Sequence, residues 1–377
     1  MKRHVGFFAV LVVFVCICIT PAQAVSTQAA CAVLMDAESG RVLYAHNAHK
    51  KGLIASTTKL MTALVAVEHT SDLDEEITIR AEWTGIEGSS IYLRPNEVIS
   101  MRGLLYGLLL QSGNDAAVAV ACHVAGDVET FAGMMNQKAE ELGMKNSCFS
   151  NPSGLNDDDH YSTAYDMALL ACACLRNEVV AQICASRSAT VGIRTFYNHN
   201  KLLHRYEGCI GMKTGYTELA GRTLVSAAKR DGQTLVCVTL NDRNDWNDHE
   251  KLLDHGFSTY PAQLLCENGK AFGAIRVTGS LIPSVPVVAG ADVRFPLSAG
   301  EQVELTVEFA HDLCAPVSAG MPVGWATWLL NGEKVAEVEL ICGASADENI
   351  CLPESLWGRI LRLLGCCRMA SDGAHLV

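Results

Sequence analysis

Ser56-Thr57-Thr58-Lys59-Leu60-Met61-Thr62-Ala63-Leu64-Val65 is the stretch from which the rest of this chain is read. Leu60, Met61, Leu64 and Val65 are apolar at helical spacing, which predicts a buried helix with Ser56 at its opening and Lys59 one turn on. A serine hydroxyl is a poor nucleophile at neutral pH and needs an adjacent base. A lysine can be that base only if burial or a second cation pulls its ammonium pKa down. At a helix start the Ser56 N–H is free to stabilise an oxyanion, and the helix dipole adds to it. An isolated Ser-x-x-Lys is more often a capped helix with a snorkelling lysine, so the reading depends on what stands downstream.

Two further motifs supply the remaining parts. Ser112-Gly113-Asn114 follows Leu104, Leu105, Leu108, Leu109 and Leu110 and precedes a small-residue helix from Ala116 to Ala121, so it is placed on a loop between two helices. There a hydroxyl could relay a proton between Lys59 and a leaving amine, and the Asn114 carboxamide could hold Lys59 or a substrate peptide. Taken alone, Ser and Asn at a helix junction serve as caps. Lys213-Thr214-Gly215 leads into an apolar, β-rich segment from Thr223 to Leu240 broken by Asp231-Gly232, which reads as a hairpin. An ammonium and a hydroxyl on such a strand could bind a carboxylate, Gly215 would let a substrate backbone lie close, and the Tyr216 N–H is a candidate second oxyanion donor. Three weak motifs in order, each on the element its chemistry needs, together point to serine acyl transfer.

These motifs are the signature of class A β-lactamases and penicillin-binding proteins. The surroundings, Gly85 to Leu93, Phe149 to Leu155, His160 to Leu169 and Asn200 to Thr217, resemble the D-alanyl-D-alanine carboxypeptidases of serine peptidase family S11 across residues 28–368. The resemblance implies that Ser56 is acylated by peptides ending in D-Ala-D-Ala, the terminal D-Ala leaves, and water hydrolyses the acyl-enzyme. It implies Lys59 as general base, Ser112 and Asn114 assisting, Lys213 and Thr214 gripping the terminal carboxylate, and β-lactams acylating the same serine. An arginine that helps hold this carboxylate is expected at Arg243, with Arg222 as second candidate and a solvated surface arginine as the alternative for each.

Other readings carry distinguishing residues. A class A β-lactamase activates its hydrolytic water with a glutamate; Asn151-Pro152-Ser153-Gly154-Leu155-Asn156 and Asp157-Asp158-Asp159 offer none in a Glu-x-x-Leu-Asn setting. A degenerate, non-catalytic peptidoglycan-binding protein would be expected to have lost Ser56 or Lys59. Endopeptidase or transpeptidase activity stays open, because both share the acyl-enzyme and differ in which acceptor or amide reaches it.

Residues 1–24 read as a secretory signal: Lys2, Arg3 and His4, an apolar run from Val5 to Ile19, then Pro21-Ala22-Gln23-Ala24. A lipoprotein reading through Cys31 fails, because Thr27 to Ala30 lacks the apolar residue expected before the cysteine. Residues 352–369 set Leu356, Trp357, Ile360, Leu361, Leu363 and Leu364 against Arg359, Arg362 and Arg368, a basic amphipathic helix that would lie on a membrane surface. Its alternative is a helix docked on the globular part. The resemblance favours the anchor, placing the enzyme outside the cytoplasmic membrane, facing the wall.

Composition sets limits. A chain of 377 residues with net charge −12 has room for two domains and is unsuited to nucleic acid. Of sixteen cysteines, removing Cys16 and Cys18 with the signal leaves fourteen, an even number that would invite a disulfide framework. Yet Cys122, Cys172, Cys174, Cys184, Cys237 and Cys342 sit among apolar residues as small hydrophobes do. Neither metal nor cofactor is expected, since no Cys/His set has zinc-ligand spacing.

The fold class expected is α+β: an antiparallel sheet covered by helices, followed by a small all-β domain. Ala30 to Asp36 and Arg41 to Tyr44 pair around Glu38-Ser39-Gly40, helices fill most of 56–180, and the 223–240 hairpin joins the first strands. The catalytic domain is placed at 28–262. The β-rich domain, at 270–348, holds no candidate catalytic set.

Overall fold

The computed structural model describes residues 25–348; the signal at 1–24 and the amphipathic stretch at 352–369 lie outside the described residues. The central sheet is antiparallel. Its strands run in the order Val42–His46, Cys31–Asp36, Gln233–Leu240, Gly221–Arg230, with Cys209–Gly211 and Thr214–Thr217 sharing the outer edge of Gly221–Arg230. Cys31–Asp36 is buried at every position because both sheet faces are covered. Alternation sends Val33 and Met35 into the larger core and Ala32 and Leu34 into the smaller one. Asp231 (φ 49°) and Gly232 (φ 81°) close the 221–240 hairpin with two left-handed residues, as Asp-Gly predicts.

Helices α1 (Lys59–His69), α2 (Met101–Leu110), α3 (Asn114–Ala125), α4 (Val128–Glu141), α5 (Ala164–Arg176) and α6 (Glu178–Ala185) bury the larger core. The short α7 (Leu202–Arg205) and the longer α8 (Asp245–Thr259) contribute to the smaller one. Ser56 does not open α1 directly. It lies in a 3-10 turn, Ala55–Thr58, that leads into it, and Lys59 is the first α-helical residue. Among the described residues no single helix is long and apolar enough to cross a membrane.

After α8 the chain is all β. Ala262–Cys266 pairs with Val293–Pro296, and a six-stranded sheet runs Val303–Phe309, Pro322–Leu330, Glu333–Cys342, Ser284–Ala289, Ala271–Thr278, Asp312–Cys314. Arg41 ties this unit to the first: its guanidinium bonds both Glu301 carboxylate oxygens and the Pro296 carbonyl. The six cysteines expected inside are buried, except Cys122, which is half-buried.

Candidate active site

Ser56, Ser112, Thr214, Gly215, Tyr216 and Arg222 line one cleft of about 320 Å³. Lys59 lies beneath it, fully buried, and its Nζ has three acceptors: Ser56 Oγ at 2.9 Å, Asn114 Oδ1 at 2.7 Å and the Ser153 carbonyl at 2.6 Å. Burial pushes the Lys59 ammonium well below the usual lysine range, the nearby charge of Lys213 acts in the same direction, and Asp115 opposes them. A neutral amine has two N–H donors and one lone pair. Asn114 Oδ1 and the Ser153 carbonyl can only accept, so they take both hydrogens and leave the lone pair for the Ser56 hydroxyl. The Asn114 carboxamide is held in that sense because its Nδ2 donates to the Glu87 carbonyl at 2.6 Å.

Each part is fixed by its neighbours. Ser112 adopts φ 61° between α2 and α3, presenting its side chain to the cleft. Buried Asp115, the next residue after Asn114, accepts from the Ile91 and Leu93 N–H groups and the Ser90 hydroxyl, so it holds the 85–93 segment over the site. Gly154 (φ 82°) packs so closely that a Cβ there would lie 1.9 Å from the Ala55 carbonyl, which is what brings the Ser153 carbonyl to Lys59. His160 braces the same contact. Its Nδ1 accepts from the Ser150 N–H, so Nε2 carries the proton and donates to Thr58 Oγ1 at 2.8 Å. Burial holds His160 down at about 4, against the opposing charge of Asp157, so it is a neutral strut.

Lys213 and Val225 exchange both backbone bonds, at 3.0 and 2.9 Å. By alternation Gly215 pairs inward with Thr223, while the N–H groups of Thr214 and Tyr216 point away from that neighbour, to the free edge of the strand. A Cβ on Gly215 would fall 2.4 Å from Thr223 Oγ1 and 3.0 Å from the Ser56 N, so glycine is required there. Lys213 itself does not line the cleft. It is buried below, its Nζ donating to the Thr214 carbonyl at 2.8 Å, and burial lowers its pKa to about 7.

The structure places the two candidate arginines differently. Arg243 is exposed and borders a neighbouring depression, whereas Arg222 lines the cleft beside Thr214. Arg222 follows Gly221 on the strand paired with Thr214–Thr217, and buried Asp245 grips its Nε and Nη2 at 2.8 to 3.0 Å. Sequence distance from the lysine motif could not convey that register. Sequence reasoning also missed the Ser153 carbonyl, His160, and the wall formed by His199 and Lys201. Only Asn151-Pro152-Ser153-Gly154 carried a signal, that of a tight turn, and a turn does not name its target.

An antiparallel sheet with a helical layer, and a serine–lysine pair facing its edge strand, is the architecture of the serine acyltransferases. Residues 19–244 match the family model for D-alanyl-D-alanine carboxypeptidase, peptidase S11, and residues 260–348 match that of the penicillin-binding protein 5 C-terminal domain. The chain belongs to the S11 family. It is 33% identical to the D-alanyl-D-alanine carboxypeptidase DacC of Escherichia coli, over 86% of either chain. With DacF of Bacillus subtilis it shares 31% identity, over 82% of this chain and 84% of that one. The crystal structure of penicillin-binding protein 5 from Haemophilus influenzae superposes with a TM-score of 0.73 at 30% identity, covering 86% of this chain and 99% of that one.

Proposed function

We propose that this protein removes the terminal D-alanine from peptidoglycan stem peptides through an acyl-enzyme on Ser56. The observation that carries the reading is the buried Lys59 Nζ 2.9 Å from Ser56 Oγ, its other two contacts being the acceptor-only oxygens of Asn114 and Ser153. Ser56 Oγ attacks the carbonyl of the penultimate D-Ala as its proton passes to Lys59 Nζ. The tetrahedral oxyanion sits between the Ser56 and Tyr216 N–H groups. The proton then moves through the Ser112 hydroxyl to the departing amine, and free D-Ala leaves. Water enters along the same line and loses a proton to Lys59; the acyl bond to Ser56 breaks and Oγ recovers its proton. Thr214 and Arg222 bind the terminal carboxylate, the latter as a planar fork set by Asp245, and Lys213 supports them from below. A β-lactam carries an amide and a carboxylate in the same relation, so it acylates the same serine.

We further read residues 28–262 as the catalytic domain and 270–348 as a spacer. Residues 352–369 hold the enzyme on the outer face of the cytoplasmic membrane through their amphipathic pattern. The test is D-Ala release from a diacetyl-lysyl-D-Ala-D-Ala peptide, with Ser56→Ala as control. Release that vanishes in Ser56→Ala is the expected result. Equal release from the variant would remove Ser56 as nucleophile, and penicillin labelling without release would reassign the physiological reaction to transfer or endopeptidase cleavage.

A further inference from the structure

At one end of the C-terminal unit a small apolar cluster of Val277, Val285, Val317, Cys342 and Ala346 is closed over by loops. Backbone bonds bring them together. Ala315 N–H donates to the Thr278 carbonyl at 2.8 Å, Gly320 N–H to Cys342 at 2.8 Å, and Val317 and Ala346 exchange bonds at 2.9 and 2.8 Å. The loops at this end, residues 278–284, 314–322 and 342–346, contain no Asp, Glu, Lys, Arg or His, and the exposed acids Asp347 and Glu348 follow them directly. Outside the cluster Leu281 is 73% exposed, Ile282 42% and Met321 40%. The ion pair of Arg276 with Asp312 sits at the register just before the loops begin. Single exposed apolar residues are ordinary, but several grouped on loops that carry no charge of their own mark a contact surface.

The path of the chain says what the contact is. The described residues leave the fold here, since Ala346 is bridged to Val317 and only Asp347 and Glu348 follow. From Glu348 to Leu352, where the basic amphipathic stretch begins, four peptide steps span at most about 14 Å. Wherever that stretch lies in a membrane interface, covalent geometry holds this end of the domain at the same surface.

We propose that the end of the C-terminal unit formed by these loops docks directly on the lipid bilayer, with Leu281, Ile282 and Met321 entering the boundary between headgroups and acyl chains. The proposal rests on the membrane reading of residues 352–369 given above. A short amphipathic segment alone binds reversibly, and a second apolar contact on the same rigid body multiplies the partition. It would also restrict the rotation of the domain about its tether, presenting the active site to the wall in a limited range of directions.

The test uses the full mature chain and vesicles of equal parts phosphatidylcholine and phosphatidylglycerol, read by co-sedimentation. Leu281→Asp with Ile282→Asp should lower the partition coefficient on the order of tenfold or more. Release of D-Ala from the soluble tripeptide should stay at the wild-type rate, which certifies folding. If the aspartates disturb it, Leu281→Ser with Ile282→Ser replaces them. Ile193→Asp, a change at an exposed apolar hairpin tip in the catalytic domain, should leave partition unaltered. Wild-type partition in the loop variant, while Leu356→Asp with Ile360→Asp releases the protein, overturns the proposal and leaves the anchor reading standing. Loss of partition in the loop variant alone supports the loops and removes the anchor reading. An equal loss in Ile193→Asp, or no loss in any variant, overturns the proposal.

Discussion

Lys59 and Lys213 are two buried lysines in one site, and the protein meets the cost of both for the sake of chemistry. For Lys213 the folded pKa is about 7 against an ordinary 10.5. Between these values the unfolded chain holds one more proton than the folded one, so stability rises with pH across that window, and below about 7 the burial cost is full. Lys213→Met should therefore raise stability at neutral pH by about 1–2 kcal/mol, a gain that fades in thermal denaturation as the pH approaches the ordinary lysine value. The same change removes a cation from beside Lys59. The acid limb of acylation, followed with a fluorescent penicillin, should move to higher pH. Arg222 allows a second residue-scale test. Arg222→Ala should raise KM for the tripeptide by roughly tenfold to a hundredfold, whereas Arg243→Ala should leave it within about twofold. Steady-state kinetics separates the two arginines.

Among the elements, the turn from Ala55 to Thr58 and the loop at 149–155 behave as one assembly, because Gly154 lets them touch and His160 bonds across them. A Cβ at Gly154 meets a left-handed φ and a backbone carbonyl, neither of which can yield cheaply. Gly154→Ala should cost roughly 2–4 kcal/mol in thermal or urea unfolding. It should also slow penicillin acylation, since the loop can relax only by withdrawing the Ser153 carbonyl from Lys59. The edge strand Thr214–Thr217 is exposed on one side for a related reason: a strand with a free edge can take a substrate backbone as its next neighbour.

At the scale of the whole molecule, Arg41 is the main polar link between the two units, stacking near Tyr260 and Phe295 while it grips Glu301. The Arg41 hydrogen bond and charge hold Glu301 down at about 2 against an ordinary 4.5. Because the folded value is depressed, this contribution is present above 4.5 and is lost as pH falls toward 2. The carboxylate is partly exposed, so the screened contribution is about 1 kcal/mol. Arg41→Ala should lower the melting temperature by a few degrees and speed limited proteolysis near residues 261–270, with D-Ala release from the soluble peptide unchanged. A proteolysis rate equal to wild type would show that packing alone joins the units.

Much of this could be read without coordinates. Ser-x-x-Lys before a 3.6-period apolar run, Lys-Thr-Gly before a β-rich hairpin, and Asp-Gly at its turn are local patterns, and local patterns depend on propensity and covalent geometry that the chain carries everywhere. Hence the sheet, the helical layer and most of the site were legible by sequence alone. Tertiary structure decided what depends on register and burial. It turned Arg222 rather than Arg243 into the cleft, because strand pairing sets which side chains meet. It assigned the third Lys59 acceptor to the Ser153 carbonyl, because every residue has a carbonyl and only folding aims one. It lowered the pKa of Lys59, because desolvation belongs to the surroundings of a side chain and not to its identity.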